Sequence, residues 1–261
     1  MVTDLGGIAV ERVAPNVREL YARCGLGIQQ RTEEWYRARE SILTASDCAS
    51  ALGIKPFKSY SGNPADELLK KKLDPEPLVS IFLTHGVYWE DAVRDTVCSV
   101  LGEPAVEWGL VRSAEHPWLG ASPDGVFPLS GRCLELKAPL KREIHVVSHS
   151  DGSLMPEHYY AQVQIQMLCC GARETIFAEF KPAMIMPNNR DALSIVSIAR
   201  DDAWLEESIP KLRAFYDRWQ AAKKTHVPRP PKIAENRIIE GLYSDDSDLS
   251  DDDGSEESEA W

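Results

Sequence analysis

Between residues 106 and 139 the sequence pattern changes from helical spacing to short, strand-like runs, and this change limits the folds that the chain can adopt. Residues 83–101 and 157–170 are typical of helices, whereas the segment between them consists of short apolar runs separated by turn-forming residues. We read these runs, VEWGLVRS, WLGASPDGVF and RCLELKAP, as the strands of a β-meander. Two more strand-like runs, TIFAEF and LSIVSIAR, and a helix over 202–224 follow. This order predicts one α/β domain.

Further helices are predicted before the strand-rich segment. Residues 14–24 have helical spacing, a second helix is expected over 32–39, and a third is expected to begin after Ser46 as its N-cap. The lysines at 70–72 are expected to form the solvated end of a fourth helix. In the helix over 83–101, one face is predicted to be apolar and to contain Val93, Val97, Val100 and Leu101.

The charge of the chain is distributed unevenly. The formal net charge is −12, but nine of the 41 acidic residues lie in 244–261, which has no basic residue. The rest of the chain has 32 acidic and 29 basic residues. So polar a tail is expected to be disordered, and to serve either solubility or docking to a basic partner. We divide the chain into an N-terminal helical extension (1–27), a central domain (28–227), and a Pro-rich exit with a disordered acidic tail (228–261).

Several classes of protein are excluded by composition. No apolar run approaches the roughly 20 residues that a membrane span needs, so we expect no membrane insertion. The N-terminus lacks the pattern of a secretory signal, and the six cysteines include no Cys-x-x-Cys pair. We therefore expect buried, reduced thiols in a cytoplasmic or nuclear protein that is not secreted, and no iron–sulfur or zinc cluster.

One constellation in the strand-rich segment is typical of metal-dependent phosphodiester hydrolysis. Asp124 follows a Ser-Pro turn, and Glu135-Leu136-Lys137 comes on the next predicted strand. Because side chains alternate along a strand, Glu135 and Lys137 share one face and Leu136 faces the core. Two carboxylates are suitable ligands for Mg²⁺, which lowers the pKa of a bound water, and a lysine can orient that water or take its proton.

Two helices could add further groups to this constellation. Glu90, in the helix over 83–101, is a candidate third carboxylate. Gln162 and Gln166 lie four residues apart and therefore share a helix face. We expect Gln162 to contact the site, and Gln164 and Gln166 to be structural or to face DNA.

The chain resembles the YqaJ-type viral recombinase family, which includes the exonuclease of bacteriophage lambda. The resemblance lies in five motifs in the same order over residues 28–180: Trp35 and Arg39 before LTAS, Gly86 with Glu90, ASPDG, LELKAP and YYAQVQ. It implies a PD-(D/E)xK nuclease core over the central domain, with a mixed sheet flanked by helices.

The resemblance also implies a role for each residue of the constellation. The metal ligands would be Asp124, Glu135, the backbone carbonyl of Leu136, and Glu90. The metal would be Mg²⁺, with Mn²⁺ able to substitute. Lys137 would act on the nucleophilic water, and Gln162 would support the lysine or that water.

A phosphate pocket and a reaction follow from the same resemblance. Arg39, Ser46 and Ser122 match the residues that bind the 5′-phosphate in lambda-like members. Such enzymes degrade one strand of linear duplex DNA from its 5′ end and leave 3′ overhangs for a single-strand annealing protein. Lambda-like members form homotrimeric rings, so a ring is a further expectation.

Two other readings remain open from the sequence. One is an endonuclease or single-strand exonuclease of the Cas4 or RecB-nuclease kind, although the cysteine spacing does not supply the cluster that Cas4-like proteins usually have. The other is a DNA-end-binding module without catalysis, which the intact set of Asp124, Glu135 and Lys137 argues against.

Overall fold

The computed structural model describes residues 5, 7–55, 60–75, 81–140, 143–144, 155–182 and 192–228. The predicted acidic tail lies outside these residues. The described helices are α1 (Pro15–Cys24), α2 (Glu33–Arg39), α3 (Ala45–Ala51), α4 (Pro64–Leu73), α5 (Ile81–Leu101), α6 (Glu157–Cys170) and α7 (Asp202–Thr225). The described strands are β1 (Leu43–Thr44), β2 (Val111–Arg112), β3 (Leu119–Ala121), β4 (Gly125–Val126), β5 (Cys133–Lys137), β6 (Glu174–Lys181) and β7 (Ala192–Ala199).

The start of α3 differs from the prediction. Thr44, not Ser46, is the N-cap: its backbone is extended (φ −90°, ψ 158°) and its N–H donates to Asp47 Oδ2 at 3.1 Å. Asp47 occupies the third helical position, where a carboxylate can reach back to the capping residue. Ser46 therefore lies inside the first turn of α3.

The strands form two sheets rather than one meander. The first has the order β1-β3-β2, and the second has the order β4-β5-β6-β7. β3 and β4 belong to different sheets although only Ser122, Pro123 and Asp124 separate them. Pro123 has no N–H to donate to a ladder, which explains why β3 does not continue into β4. The prediction of a single meander was wrong, but the predicted mixed sheet is confirmed, because β5 pairs parallel to β6 and antiparallel to β4.

Helix α6 is buried between the other elements. Ile165 and Cys169 pack in a cluster with α3, α4 and α7. Met167 and Cys170 pack against α1, and Tyr159 packs against Phe177 of β6. A helix with apolar contacts all round its surface belongs in the core, so α6 holds its polar side chains against the neighbouring strands with little freedom.

The long helix α5 covers the face of the four-stranded sheet that is opposite to α6. Val93 and Val97 are buried against Leu134 of β5 and Ile176 of β6. Val100 was predicted on the same apolar face, but it is 64% exposed. Leu101, which was also predicted on this face, packs against the same cluster, so Val100 is the one of the four that the prediction misplaced.

Helix α1 packs onto the central domain. Val17 and Leu20 are buried in one cluster with Trp108 and Cys133. The predicted boundary near residue 28 stays a prediction. Cys48, Cys133, Cys169 and Cys170 are buried free thiols, as expected. None of the helices formed by the described residues is both long and apolar enough to span a bilayer.

Candidate active site

Strands β4 and β5 bring the predicted carboxylates and lysine together. The N–H of Asp124 donates to the carbonyl of Leu134 at 3.1 Å, and Asp124 Oδ2 accepts the N–H of Leu136 at 2.6 Å. On β5, Lys137 Nζ lies 2.8 Å from Glu135 Oε1, so both side chains share one face. Leu136 packs against the α5 cluster on the other face. The predicted alternation along this strand is therefore confirmed.

Helix α6 holds Glu135 from the opposite side. Gln162 Nε2 donates to Glu135 Oε1 at 2.7 Å, and Gln166 Nε2 donates to Glu135 Oε2 at 2.8 Å. Glu135 is only 3% exposed. Gln166 is itself buried and contacts the candidate catalytic carboxylate, so it does not face DNA. Gln164 is structural: it donates to the carbonyl of Ala199 and accepts the N–H of Asp201.

The position of Lys137 is also set by α6. Its Nζ donates to Gln162 Oε1 at 3.3 Å and lies 5.3 Å from the centre of the Tyr159 ring. The amide oxygen of Gln162 therefore faces the ammonium of Lys137, and its NH₂ group faces the carboxylate of Glu135. This contact fits the supporting role that the sequence predicted for Gln162.

Helix α5 contributes Glu90, which is bound by two arginines that the sequence did not predict. Glu90 Oε2 pairs with Arg31, and Glu90 Oε1 accepts from Arg94 Nη2 at 2.9 Å. Arg94 Nε also donates to the backbone carbonyl of Asp124 at 3.0 Å. Arg94 thus joins α5 to the carboxylates on the sheet. Its i,i+4 spacing from Glu90 was a signal that could have identified it.

Two of these three carboxylates have raised pKa values. The pKa of Asp124 is raised well above its ordinary value, first by burial and then by the negative charges of Glu135 and Glu90. Burial also raises the pKa of Glu90, although Arg31 and Arg94 act in the opposite direction. We call Asp124, Glu135, Lys137 and Glu90 the acid cluster.

The chemistry of the acid cluster fits a hard divalent cation, but its present arrangement is not a ready-made cage. Carboxylate oxygens are the ligands that Mg²⁺ prefers. Among the residues that the structure describes, no three His, Cys, Asp or Glu side chains are arranged so that they could hold a metal ion as they stand. Glu135 is occupied by two amides and Lys137, and Glu90 by two arginines. Binding a cation would therefore require these side chains to exchange partners.

A second group of side chains brings together the three residues of the predicted phosphate pocket. The Arg39 guanidinium lies 4.1 Å from the centre of the Trp35 ring, and its Nη2 is 3.5 Å from Ser46 Oγ. Trp35 Nε1 donates to Ser122 Oγ at 2.9 Å. Burial lowers the pKa of Arg39, while Asp47 acts to raise it. We call Trp35, Arg39, Ser46 and Ser122 the pocket. Trp35 is its unpredicted member, because only its place in a motif had been noted.

A network of charge beneath the pocket was not predicted either. Asp47 Oδ2 accepts from Thr44 Oγ1 at 2.6 Å and lies 2.6 Å from Lys72 Nζ. Burial acts to raise the pKa of Asp47, but the charges of Lys72 and Arg39 outweigh it and the pKa is lowered. Lys72 is 13% exposed, so it is not part of a solvated helix end as predicted. The apolar stem of a lysine allows such burial when its ammonium has a partner.

The pocket and the acid cluster are joined by one short segment. Ser122 belongs to the pocket, Asp124 belongs to the acid cluster, and Pro123 lies between them. Two residues span at most about 7 Å of backbone. All the predicted site residues therefore lie in two adjacent groups that share this segment.

The fold, with Asp124 directly before β4 and Glu135-Leu136-Lys137 on the paired strand β5, defines a PD-(D/E)xK-type nuclease core, as predicted. The model of the YqaJ-like viral recombinase domain matches residues 34–173, more than half of the chain. The chain belongs to the YqaJ-like viral recombinase family.

Related proteins and structures agree with this assignment. The chain is 31% identical over 165 residues to the uncharacterised protein R354 of Acanthamoeba polyphaga mimivirus, and the match covers 59% of this chain but only 29% of that relative. An alkaline exonuclease from Laribacter hongkongensis is similar in structure, with 26% identity and a TM-score of 0.57 over 74% of this chain and 95% of that one.

Two further structures extend the comparison. The same alkaline exonuclease in complex with dAMP has 25% identity and a TM-score of 0.59, with the same coverage of both chains. A phage-related exonuclease from Haemophilus somnus 129PT, at 12% identity, shares the fold with a TM-score of 0.51 over 71% of this chain and 96% of that one. Family membership and the alkaline exonuclease neighbours support a nuclease role.

Proposed function

We propose that the chain is a Mg²⁺-dependent 5′→3′ exonuclease that acts on linear double-stranded DNA. The observation that carries the proposal is the junction at Ser122 and Asp124, which places a pocket suited to phosphate next to a cluster suited to phosphodiester hydrolysis. The similarity to the alkaline exonuclease of Laribacter hongkongensis supports the same reaction class.

The acid cluster supplies the chemistry. Asp124, Glu135, the carbonyl of Leu136, and Glu90 would hold Mg²⁺, and Mn²⁺ would substitute for it. The bound cation lowers the pKa of a water and offsets charge on the scissile phosphate. Lys137 would orient that water through its ammonium group, which Gln162 keeps beside Glu135.

The pocket sets the direction in which the strand is degraded. Arg39 can bind the oxygens of a terminal 5′-phosphate through two parallel N–H groups, while the hydroxyls of Ser46 and Ser122 bind the remaining oxygens. Trp35 stacks on the guanidinium and orders Ser122, so both contacts are in place before DNA binds. An enzyme that holds the 5′ end next to its hydrolytic groups removes nucleotides from that end and leaves a 3′ overhang.

The partners and the cellular setting of this reaction belong to the same proposal. A 3′ overhang is the substrate of a single-strand annealing protein, and a homotrimeric ring would hold the duplex during successive cuts. Without the acidic tail the chain has 32 acidic and 29 basic residues, so contact with DNA is local rather than spread over a basic surface. The cytoplasm, or the nucleus of a eukaryotic host, is the expected site of action.

The test is digestion of linear duplexes that have either a 5′-phosphate or a 5′-hydroxyl, with covalently closed circular DNA alongside. We expect cleavage only with a divalent cation, faster degradation of the phosphorylated end, and an intact circle. Cleavage of the circle would identify an endonuclease instead, and indifference to the 5′-phosphate would refute the pocket. Binding without cleavage in both Mg²⁺ and Mn²⁺ would identify a non-catalytic end-binding module.

A further inference from the structure

Arg31 has a backbone conformation that the roles proposed above do not explain. Its φ is +62°, and among the residues that the structure describes it is the only non-glycine residue with a positive φ. L-residues other than Asn and Asp rarely adopt this left-handed region, because their Cβ crowds the backbone. Strain of this kind persists where the surrounding structure enforces it, and it occurs preferentially at functional sites.

The residues on both sides of Arg31 hold it in this conformation. Gln30 Nε2 donates to the backbone carbonyls of Trp108 and Pro123, each at 3.1 Å. Thr32 is the N-cap of α2 and accepts the N–H of Trp35 at 3.2 Å. Because Pro123 joins the pocket to the acid cluster, the turn that carries Arg31 is fixed to the segment shared by both groups.

The guanidinium of Arg31 reaches the acid cluster, and its contact differs from that of Arg94. Arg94 is 11% exposed and donates to Glu90, to Asp91 and to the carbonyl of Asp124. Arg31 is 42% exposed, and Glu90 is its ion-pair partner within the described residues. An ion pair with so exposed a partner contributes little to stability, so it does not account for the strain at φ +62°.

We propose that Arg31 binds a backbone phosphate of DNA at the acid cluster, and that its pair with Glu90 is the resting contact that holds the guanidinium there. The inference rests on the proposed nuclease function. It adds a phosphate ligand distinct from Arg39, because Arg31 contacts Glu90 whereas Arg39 contacts Trp35 and Ser46. When a cation neutralises Glu90, the exposed guanidinium of Arg31 is left to bind a phosphate, while Arg94 keeps its backbone contact.

The closing experiment compares Arg31→Gly with Arg31→Gln. Both substitutions remove the guanidinium, but only glycine removes the strain at φ +62°. We therefore expect Arg31→Gly to unfold at a higher temperature than Arg31→Gln, in thermal melts of the metal-free proteins. Equal unfolding temperatures would contradict the strain on which the inference depends.

The same two variants are then tested for binding to a 5′-phosphorylated duplex by fluorescence anisotropy, with Ca²⁺ in place of Mg²⁺ to slow cleavage. We expect both to bind about tenfold more weakly than the wild type, as for the loss of one charge-assisted hydrogen bond. The slope of log affinity against log salt should fall by about one, because one phosphate contact is lost.

Arg173→Gln is the matched control. Arg173 is also an exposed arginine in an ion pair, with Asp202, but it precedes β6 at the end of the sheet opposite to Lys137. This variant should bind with the affinity and salt slope of the wild type. Wild-type affinity and slope in both Arg31 variants would overturn the inference while leaving the proposed function intact. A wild type that neither binds nor cleaves duplex DNA would overturn both.

Discussion

Two partly buried aspartates, one beneath the pocket and one in the acid cluster, have pKa values shifted in opposite directions. Asp47, beneath the pocket, has a lowered pKa because Lys72 and Arg39 outweigh the effect of burial. Asp124, in the acid cluster, has a raised pKa because burial and the charges of Glu135 and Glu90 act together. At the first carboxylate the counter-charges outweigh burial, whereas at the second the counter-charge of Lys137 is outweighed by burial and by the two negative charges.

This difference separates a group that is already assembled from a group that needs a ligand to complete it. The pocket is held by stacking, by a hydrogen bond and by the Asp47–Lys72 ion pair. The acid cluster brings three carboxylates together, and a bound cation would offset part of the negative charge around Asp124. We expect changes in the acid cluster to affect catalysis most, and changes beneath the pocket to affect recognition and stability.

The largest expected effect is on catalysis. Glu135→Ala removes a carboxylate that contacts Lys137, Gln162 and Gln166, and we expect the rate of cleavage to fall by about a thousandfold or more. The rate should be measured by single-turnover digestion of a 5′-phosphorylated duplex.

A DNA-binding measurement on this variant tests the pocket independently of the acid cluster. Glu135→Ala should still prefer a 5′-phosphate over a 5′-hydroxyl end in anisotropy measurements, because the pocket is untouched. Glu174→Ala, at the opposite end of the neighbouring strand, is the control and should cleave normally. Loss of the folded circular dichroism spectrum in Glu135→Ala alone would mean that Glu135 is mainly structural.

The second effect is on end recognition. Arg39→Ala removes the guanidinium of the pocket, and we expect degradation of 5′-phosphorylated ends to slow about 10- to 100-fold. Degradation of 5′-hydroxyl ends should be unchanged, so the preference for phosphate disappears. Arg39→Lys should recover part of the preference, because it restores the positive charge. The recovery should be incomplete, because an ammonium cannot bind phosphate bidentately. An equal loss on both kinds of end would show that Arg39 does not read the phosphate.

The third effect is on stability beneath the pocket. Asp47→Asn leaves Lys72 without its counter-ion and weakens the cap of α3, and we expect the free energy of unfolding to fall by about 1–3 kcal/mol. Denaturant titration at pH 7 measures this change. Because the folded-state pKa of Asp47 is lowered, its contribution is present at neutral pH and is lost as the pH falls through that pKa.

A second substitution distinguishes the ion pair from the cap. Asp47→Asn combined with Lys72→Met removes both charges, and it should recover part of the lost stability. No recovery in the double variant would assign the whole effect to the cap at Thr44.

The smallest expected effect is a gain in stability, whereas Asp47→Asn is expected to lose stability. Because the folded-state pKa of Asp124 is raised, this group opposes folding at neutral pH and does so less as the pH falls toward its ordinary value. Asp124→Asn should therefore raise the unfolding temperature of the metal-free protein by a few degrees at pH 7–8, with less gain at pH 5. Thermal melts in EDTA test this. A lower unfolding temperature at pH 7–8 would mean that Asp124, like Asp47, stabilises the fold at neutral pH, which would contradict the opposite pKa shifts of the two aspartates.

Local periodicity explains what could be predicted from the sequence. Alternation along β5 placed Glu135 and Lys137 on one face, and the spacing of four residues placed Gln162 and Gln166 on one side of α6. Glu90 was a candidate from its own helix as well as from the family resemblance, whereas the three pocket residues came from the resemblance alone, and the structure places all four in the two groups. Only the predictions for β5 and α6 depend on residues that are neighbours along one element.

Apart from the contact of Arg94, which lies one turn from Glu90 on α5, the contacts that were missed join elements that are distant in the chain. Lys72 reaches Asp47 from α4, and Arg31 reaches Glu90 from a turn before α2. The division into two sheets depends on the partners that β3 and β4 find, which their own short sequences do not specify. Ser46 was misassigned as a cap because Thr44 and Ser46 are both hydroxyl residues at the start of the same helix, and Asp47 selects Thr44.

The burial of α6 on all sides has a consequence for how the protein responds to heat. Gln162 and Gln166 orient Glu135 from a helix whose other side chains form three of the apolar clusters. No segment of this helix can loosen without disturbing the core, so its amide protons should be among the slowest to exchange with solvent. Thermal inactivation and global unfolding should then follow a single transition, with no folded but inactive species between them.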